Sequence, residues 1–161
     1  MIKTFPIAAA ALAAAAIASP SFAQSFSPSS GAVSGSGPIR IVQATSLYCN
    51  LSLEAMQLGP TSISIPTRTV SPMSQGSGSC FAMVPYGNWQ ADVVPGSSTS
   101  IALTLGFRTD VLQPCYGTVT ASWNNATNTA TINNAVLPLV NAGDRPCIIS
   151  GVVRIPSLQV L

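Results

Sequence analysis

The chain has 161 residues, only 6% of them charged, and a formal net charge of +2. It has no histidine, and its one lysine is Lys3. These numbers exclude imidazole-based acid–base catalysis and a basic field of the kind that attracts nucleic acid or an anionic membrane.

Residues 1–23 have the features of a cleaved signal peptide. Lys3 gives a short positive start, residues 5–18 are apolar and rich in alanine, and Ser21 and Ala23 are small residues where a signal peptidase reads them. The apolar stretch is too short for a membrane-spanning helix, which needs roughly 20 residues. We therefore predict cleavage after Ala23 and no transmembrane segment in the mature chain.

Residues 24–38 differ in composition from the rest of the mature chain. Eleven of these 15 residues are serine, glycine or proline, a composition typical of flexible segments. We predict a flexible arm over residues 24–38 and a single β-domain over residues 39–161.

The domain is predicted to be all-β because short apolar runs alternate with polar residues and turn residues separate them. The most regular buried stripe is Ile101, Leu103, Leu105 and Phe107. We expect strands near residues 47–54, 61–70, 80–84, 88–94, 101–107, 118–123, 127–136, 147–155 and 157–161. Strands at this spacing favour a two-sheet antiparallel β-sandwich. A small closed β-barrel is the alternative.

Two local features add to this interpretation. Asn124 and Asn125 tolerate a left-handed conformation, which predicts a hairpin after residues 118–123. Trp89 and Trp123 could form a platform for carbohydrate or hydrocarbon, but both lie on the inward side of the alternation. We therefore expect them in the core.

Four cysteines, Cys49, Cys80, Cys115 and Cys147, lie in the predicted mature chain. An even count in an exported chain indicates two disulfides. A zinc site is the alternative, but the chain lacks histidine and a close Cys-x-x-Cys spacing. Four cysteines allow three pairings, and the count alone does not choose among them.

The chain offers little to a catalytic mechanism, and we predict that it is not an enzyme. Its four carboxylates, Glu54, Asp92, Asp110 and Asp144, are far apart in sequence. Two of them could still meet as a glycosidase pair, but turn or surface positions are the favoured interpretation. We predict no catalytic residue, no metal ligand and no cofactor.

The second half of the domain resembles the PraB-like family, exported bacterial proteins named for the activation of alkane oxidation. The resemblance is strongest in CYGTVTASWNNATNTATINNA at residues 115–135 and CIISGVV at residues 147–153. The first half is similar in its Cys49 strand, its Ser/Gly loop before Cys80, and Trp89 ahead of a Ser/Thr-rich turn at residues 97–100.

The resemblance implies an exported, non-enzymatic protein associated with growth on long-chain hydrocarbons and with cell-surface or extracellular-matrix roles. It carries over no catalytic residue. Together with one cysteine pair in each half of the domain, it favours the pairing Cys49–Cys80 and Cys115–Cys147.

Two function hypotheses remain, and a hydrolase is a distant third. The first is a secreted accessory protein that promotes alkane use or cell-surface and biofilm interactions, with a periplasmic or surface-bound location as the alternative. The second is a structural subunit of an extracellular fibre or matrix assembled by β-strand addition. The expected partner is a second copy, or a cell-surface or hydrocarbon interface.

Self-association would use the predicted arm and the strand after it. A tethered strand at residues 39–42 could pair with the open sheet edge of a neighbour, in a domain with few charges to oppose the approach. The alternative is that residues 39–42 pair within their own domain and the arm is only a spacer.

Overall fold

The computed structural model describes residues 24–73, 80, 82–109, 113–141 and 145–161. Within these ranges no helix is long and apolar enough to cross a membrane. The strands are β1 (Phe26–Ser27), β2 (Ala32–Val42), β3 (Ser46–Leu58), β4 (Ser62–Ile65), β5 (Thr67–Pro72), β6 (Met83–Pro85), β7 (Trp89–Val94), β8 (Ser97–Thr109), β9 (Cys115–Asn124), β10 (Thr129–Leu137), β11 (Cys147–Arg154) and β12 (Gln159–Val160). The predicted signal peptide, most of the Ser/Gly loop, Asp110 and Asp144 lie outside the described residues.

Eight of the strands close into an antiparallel barrel. Their hydrogen-bonded order is β2-β11-β10-β9-β8-β7-β4-β3, and β3 pairs in turn with β2. That last pairing is long, from Ala32 opposite Gln57 to Val42 opposite Ser46. The all-β prediction is confirmed. The sandwich is not confirmed, and the barrel alternative fits.

Alternation along the strands explains the core. Along β9 the buried residues are Cys115, Val119, Ala121 and Trp123, and their neighbours Thr118, Thr120 and Ser122 face water. The other long strands follow the same period, as expected for a barrel wall, apart from irregularities at Ala55 of β3 and between Ile132 and Ala135 of β10. Among the described residues every buried side chain is apolar.

Between β3 and β8 the wall consists of four short strands, two toward each end of the barrel. At one end of the barrel β4 pairs with β7. At the other end β5 pairs with β3 and β6 pairs with β8. Ala55, with a φ of 49°, separates the part of β3 that pairs with β5 from the part that pairs with β4.

Arg68 links two turns of the wall, the β4–β5 turn and the β6–β7 turn. Its guanidinium donates to the carbonyl oxygens of Ile65 at 2.8 Å and Pro66 at 3.0 Å, and to that of Gly87. It also lies 5.5 Å from the centre of the Trp89 ring. Ile65 ends β4 and Gly87 lies between β6 and β7. The Arg68 side chain therefore holds the two turns in a fixed relative position.

A separate two-stranded sheet, the end sheet (β1 and β12), closes the barrel at the end where β4 pairs with β7. Phe26 lies opposite Val160, and both are fully buried. The end sheet meets the wall through the Phe26 amide, which donates to the Pro60 carbonyl at 2.7 Å. The Gly96 amide also donates to Gln24 Oε1 at 2.6 Å.

The segment predicted as a flexible arm is instead ordered. Residues 32–38 belong to β2, which pairs with β3 on one side and β11 on the other. Residues 39–42 therefore pair within their own domain. Gly35 and Gly37 allow close packing of β2 on β11: a Cβ at Gly37 would lie 1.9 Å from the Val152 carbonyl oxygen. The small residues that suggested a flexible segment instead allow β2 to lie close to β11.

The predicted hairpin after residues 118–123 is present as β9–β10. Its left-handed residue is Asn128, with a φ of 54°, rather than Asn124 or Asn125. Asn124 Oδ1 instead accepts hydrogen bonds from the amides of Ala126 and Thr127, at 2.9 and 3.3 Å.

Candidate functional site

The four cysteines lie toward the end of the barrel that is opposite to the end sheet. Cys49 bonds to Cys80 and Cys115 bonds to Cys147, which is the predicted pairing. All four side chains are buried. The first disulfide joins β3 to the segment between β5 and β6, and the second joins β9 to β11 across the end of β10.

The residues considered for catalysis do not form a site in the part of the chain that the structure describes. Glu54 is exposed on the outside of β3. Asp92 is half-buried on β7, where its Oδ1 accepts a hydrogen bond from Gln90 Nε2 at 2.7 Å. No group of three or more His, Cys, Asp or Glu residues in the described ranges could hold a metal ion.

The two tryptophans lie in the core as expected, so neither forms a surface platform. Trp89 packs edge-on against Phe107, with ring centres 5.0 Å apart, and its Nε1 donates to the Tyr86 carbonyl at 3.0 Å. Trp123 Nε1 donates to Asn125 Oδ1 at 2.6 Å. Each ring is thus part of the apolar core, and its one polar group has a hydrogen-bond partner.

The barrel interior contains an apolar cavity of about 40 Å³. It lies between the end sheet and the middle of the barrel, and its lining includes Phe26, Ile63, Ala91, Ile101, Ala130 and Ile132. Two of these residues are alanines on strands whose other inward side chains are larger. Eight-stranded barrels have an interior that side chains just fill or that holds one small ligand.

The outside of the barrel carries an apolar patch on β2, β10 and β11. Val136 lies opposite Ile148, and Ile148 lies opposite Val42. Val152, four residues beyond Ile148, faces the same side. The exposed fractions are 56% for Val136, 38% for Ile148 and 42% for Val152. We call Val42, Val136, Ile148 and Val152 the outer patch.

Two arginines border the outer patch: Arg40 on β2, and Arg154, which is exposed on β11 two residues beyond Val152. Arg40 lies on β2, opposite Ser150 of β11 and Tyr48 of β3. Its guanidinium lies 5.6 Å from the centre of the Tyr48 ring and donates to Ser46 Oγ at 3.1 Å. The Arg40 charge therefore leans toward β3, on the side of β2 opposite to β11, whereas Arg154 bounds the patch at its Val152 end.

Sequence reasoning missed the outer patch, although a signal was present. Consecutive apolar pairs such as Val136-Leu137 and Ile148-Ile149 lie within strands. Because successive side chains point to opposite faces, one member of each pair must face outward. Leu137 and Ile149 are buried, and Val136 and Ile148 are the exposed members.

Sequence reasoning also missed the clamp on the C-terminal strand. Asn125 Nδ2 donates to the Val160 carbonyl at 2.8 Å, and Asn125 Oδ1 accepts from the Val160 amide at 2.9 Å. Asn128 Nδ2 donates to the Leu158 carbonyl at 2.6 Å. The β9–β10 turn thus holds β12 as a neighbouring strand would.

Comparison with known proteins is consistent with the resemblance seen in residues 115–135 and 147–153. No curated protein and no solved structure matches the chain. A family model described as alkane oxidation protein activator, PraA/PraB-like, matches residues 1–161, which is the whole chain. The chain therefore belongs to the PraA/PraB-like family of alkane oxidation protein activators.

Proposed function

We propose that this protein is an exported, non-catalytic accessory protein that adsorbs to the boundary between water and hydrocarbon through its outer patch. The observation that carries the proposal is the apolar row Val136–Ile148–Val42 across three neighbouring strands, in which Val136 and Ile148 are exposed and Val42 is half-buried. The family is described by alkane oxidation, which supports a hydrocarbon as the apolar phase. Its description as an activator supports a non-catalytic role. A protein that wets the oil surface would raise the access of cells to an insoluble substrate.

Two disulfides support a location outside the cytoplasm, because such bonds form and persist in oxidising compartments. We propose secretion to the medium or the cell surface, with the periplasm as the alternative. At the surface of an oil droplet the closed barrel would remain folded, because its backbone hydrogen bonds are already made within the wall.

The free energy of adsorption of the protein to oil can be estimated from the side chains of the outer patch. Fully burying a valine or isoleucine side chain is worth about 1.5–3 kcal/mol. Since Val136, Ile148 and Val152 are about half exposed, each would add about 1 kcal/mol on contact with oil. Their sum, about 3 kcal/mol, corresponds to roughly a hundredfold in partitioning.

The combined variant Val136→Thr, Ile148→Thr and Val152→Thr is expected to bind hexadecane droplets at least about tenfold more weakly than the native protein. Threonine keeps the β-branch that strands favour, so the midpoint of thermal unfolding should stay close to that of the native protein. The measurement is the amount of protein that partitions reversibly onto droplets of known area at low coverage.

Val84→Thr is the matched control. Val84 has a similar exposed fraction, 41%, but it lies on β6 opposite Arg108, away from the patch. This variant should partition like the native protein. Equal losses from Val84→Thr and from the patch variant would mean that adsorption is unspecific, and the proposed site would be wrong.

The fibre hypothesis has less support. It required a strand near residues 39–42 that is free to pair with a neighbour, whereas β2 already has partners on both edges. Donating that strand would first break its pairing with β3 and β11. Adsorption needs no such rearrangement, so we favour it.

A further inference from the structure

We propose that the interior of the barrel is a binding site for one unbranched apolar chain, and that the end sheet is the displaceable plug of this site. The inference is independent of the outer patch, which lies on the other face of the wall. It rests on the lining of the interior, on the position of Phe26, and on the way the end sheet is attached.

The lining selects an apolar ligand. The cavity is lined from six of the eight wall strands, β3, β4, β7, β8, β10 and β11, and from the end sheet, and all its lining residues except Gln90 and Thr104 are apolar. Every buried side chain among the described residues is apolar. A polar or charged group placed in this interior would find no buried polar side chain for its hydrogen bonds, so the part of a ligand that enters must be apolar. An unbranched chain matches a narrow barrel axis better than a globular ligand does.

The cavity is too small for an alkyl chain unless the Phe26 side chain moves. A cavity of about 40 Å³ is much smaller than an engineered protein cavity of about 150 Å³ that binds benzene. An alkyl chain does not fit there while Phe26 occupies the end of the barrel. Removing the Phe26 ring from the interior would open a space of the size of a benzene ring, continuous with the cavity that the ring lines.

The end sheet is built as a separable unit. It forms its own two-stranded sheet and is absent from the hydrogen-bonded order of the barrel wall. Its attachment includes the buried side chains of Phe26, Leu158 and Val160, the hydrogen bonds at Pro60 and Gly96, and the Asn125 and Asn128 side chains. Displacing it leaves the eight wall strands paired.

In this mechanism the affinity should depend strongly on the length of the ligand's alkyl chain. Moving Phe26 costs the same for every ligand, whereas each methylene buried in the barrel strengthens binding about fourfold. 1-Octanol should therefore bind about two hundredfold more tightly than 1-butanol, which has four fewer methylenes. Both alcohols can be used as dissolved probes below their solubility limits, so no oil phase is present and adsorption plays no part.

The isoleucine methyl groups report where the probe binds. Ile63, Ile101 and Ile132 line the cavity, whereas Ile148 lies in the outer patch. In methyl NMR of the native protein, 1-octanol should shift the three interior signals saturably and leave Ile148 nearly unchanged. Hydrogen exchange at the Phe26 amide should accelerate, because that amide loses the Pro60 carbonyl when the plug opens.

A pair of alanine variants tests the cavity without touching the plug. Ala91→Val fills space in the cavity and should weaken 1-octanol binding by at least the value of one methylene, about fourfold. Ala102→Val adds the same groups on β8, where Ala102 lies opposite Asp92 on the outside, and should leave binding unchanged. The methyl spectrum shows whether each variant is folded.

Several results would overturn the inference. Interior methyl signals that do not move up to the solubility limit of 1-octanol would exclude the site, as would equal responses to 1-octanol and 1-butanol. Shifts confined to Ile148 would place the probe on the outer patch. Interior shifts with unchanged exchange at Phe26 would exclude the end sheet as the plug. None of these results bears on partitioning to droplets, so the proposed function would be judged separately.

Discussion

Replacing all four cysteines by alanine is expected to leave the protein largely unfolded at room temperature. The disulfides close loops with sequence separations of 31 and 32 residues. In the loop-entropy model each contributes about 3.5–4 kcal/mol, by restricting the unfolded chain. Their sum, about 7–8 kcal/mol, is comparable with the whole stability of many domains, which is roughly 5–15 kcal/mol. Denaturant unfolding followed by tryptophan fluorescence measures the loss.

The two double variants serve as controls for each other. Cys49→Ala with Cys80→Ala, and Cys115→Ala with Cys147→Ala, should each lower the free energy of unfolding by a similar amount, because the loops are nearly equal in length. A loss of less than about 1 kcal/mol in either variant would show that the wall alone holds that region, contrary to the entropic account.

Asn125→Ala is expected to lower the free energy of unfolding by about 3 kcal/mol. It leaves three polar groups without their partner: Trp123 Nε1 and the amide and carbonyl of Val160. Each unsatisfied, partly buried group costs about 1–3 kcal/mol, and water recovers part of the sum. Faster hydrogen exchange at the Val160 amide should accompany the loss of stability, because the end sheet loses its clamp.

Asn133→Ala is the control for this variant. Asn133 is an exposed residue of β10, and replacing it should change stability by less than about 0.5 kcal/mol. Asn125→Asp keeps the acceptor but loses the donor to the Val160 carbonyl, so its effect should fall between the two. If Asn125→Ala behaved like Asn133→Ala, the turn would not hold the C-terminal strand.

Local patterns were sufficient to predict most of the strands and their buried faces. They did not predict β1 or the first part of β2, and they gave one strand over residues 61–70 where the structure has β4 and β5. Alternation placed Trp89, Ile101, Phe107 and Trp123 in the core, and all four are buried. Burial of every second residue results from the geometry of a strand, whatever its neighbours are. The disulfide pairing could be predicted because each half of the domain holds one cysteine pair and because the family resemblance pointed the same way.

The closure of the barrel could not be predicted from those patterns. Sandwiches and barrels have the same inward and outward alternation. What distinguishes them is the register between strands far apart in sequence, such as Ser36 opposite Arg154. The ordered β2 was missed for a related reason: Gly35 and Gly37 are needed where β2 packs closely on β11, and that contact exists only in the closed barrel.

The candidate site could be predicted only in part. A hydrocarbon interface was among the predicted partners, but no residues were assigned to it. The outer patch depends on Val136, Ile148 and Val42 meeting across three strands, and only the register brings them together. The end sheet likewise depends on Phe26 meeting Val160 from the opposite end of the described chain.

The most direct test of the proposed function is to label the protein from the oil side. A long-chain alkane that carries a diazirine, dissolved in hexadecane droplets and activated by light, inserts into the residues that touch the oil. Peptide mapping of the adsorbed native protein should place the label at Val136, Ile148 and Val152, and leave the Ser/Thr-rich outer face of β8 and β9 nearly unlabelled. Label spread evenly over the barrel, or concentrated on β8 and β9, would contradict adsorption through the outer patch.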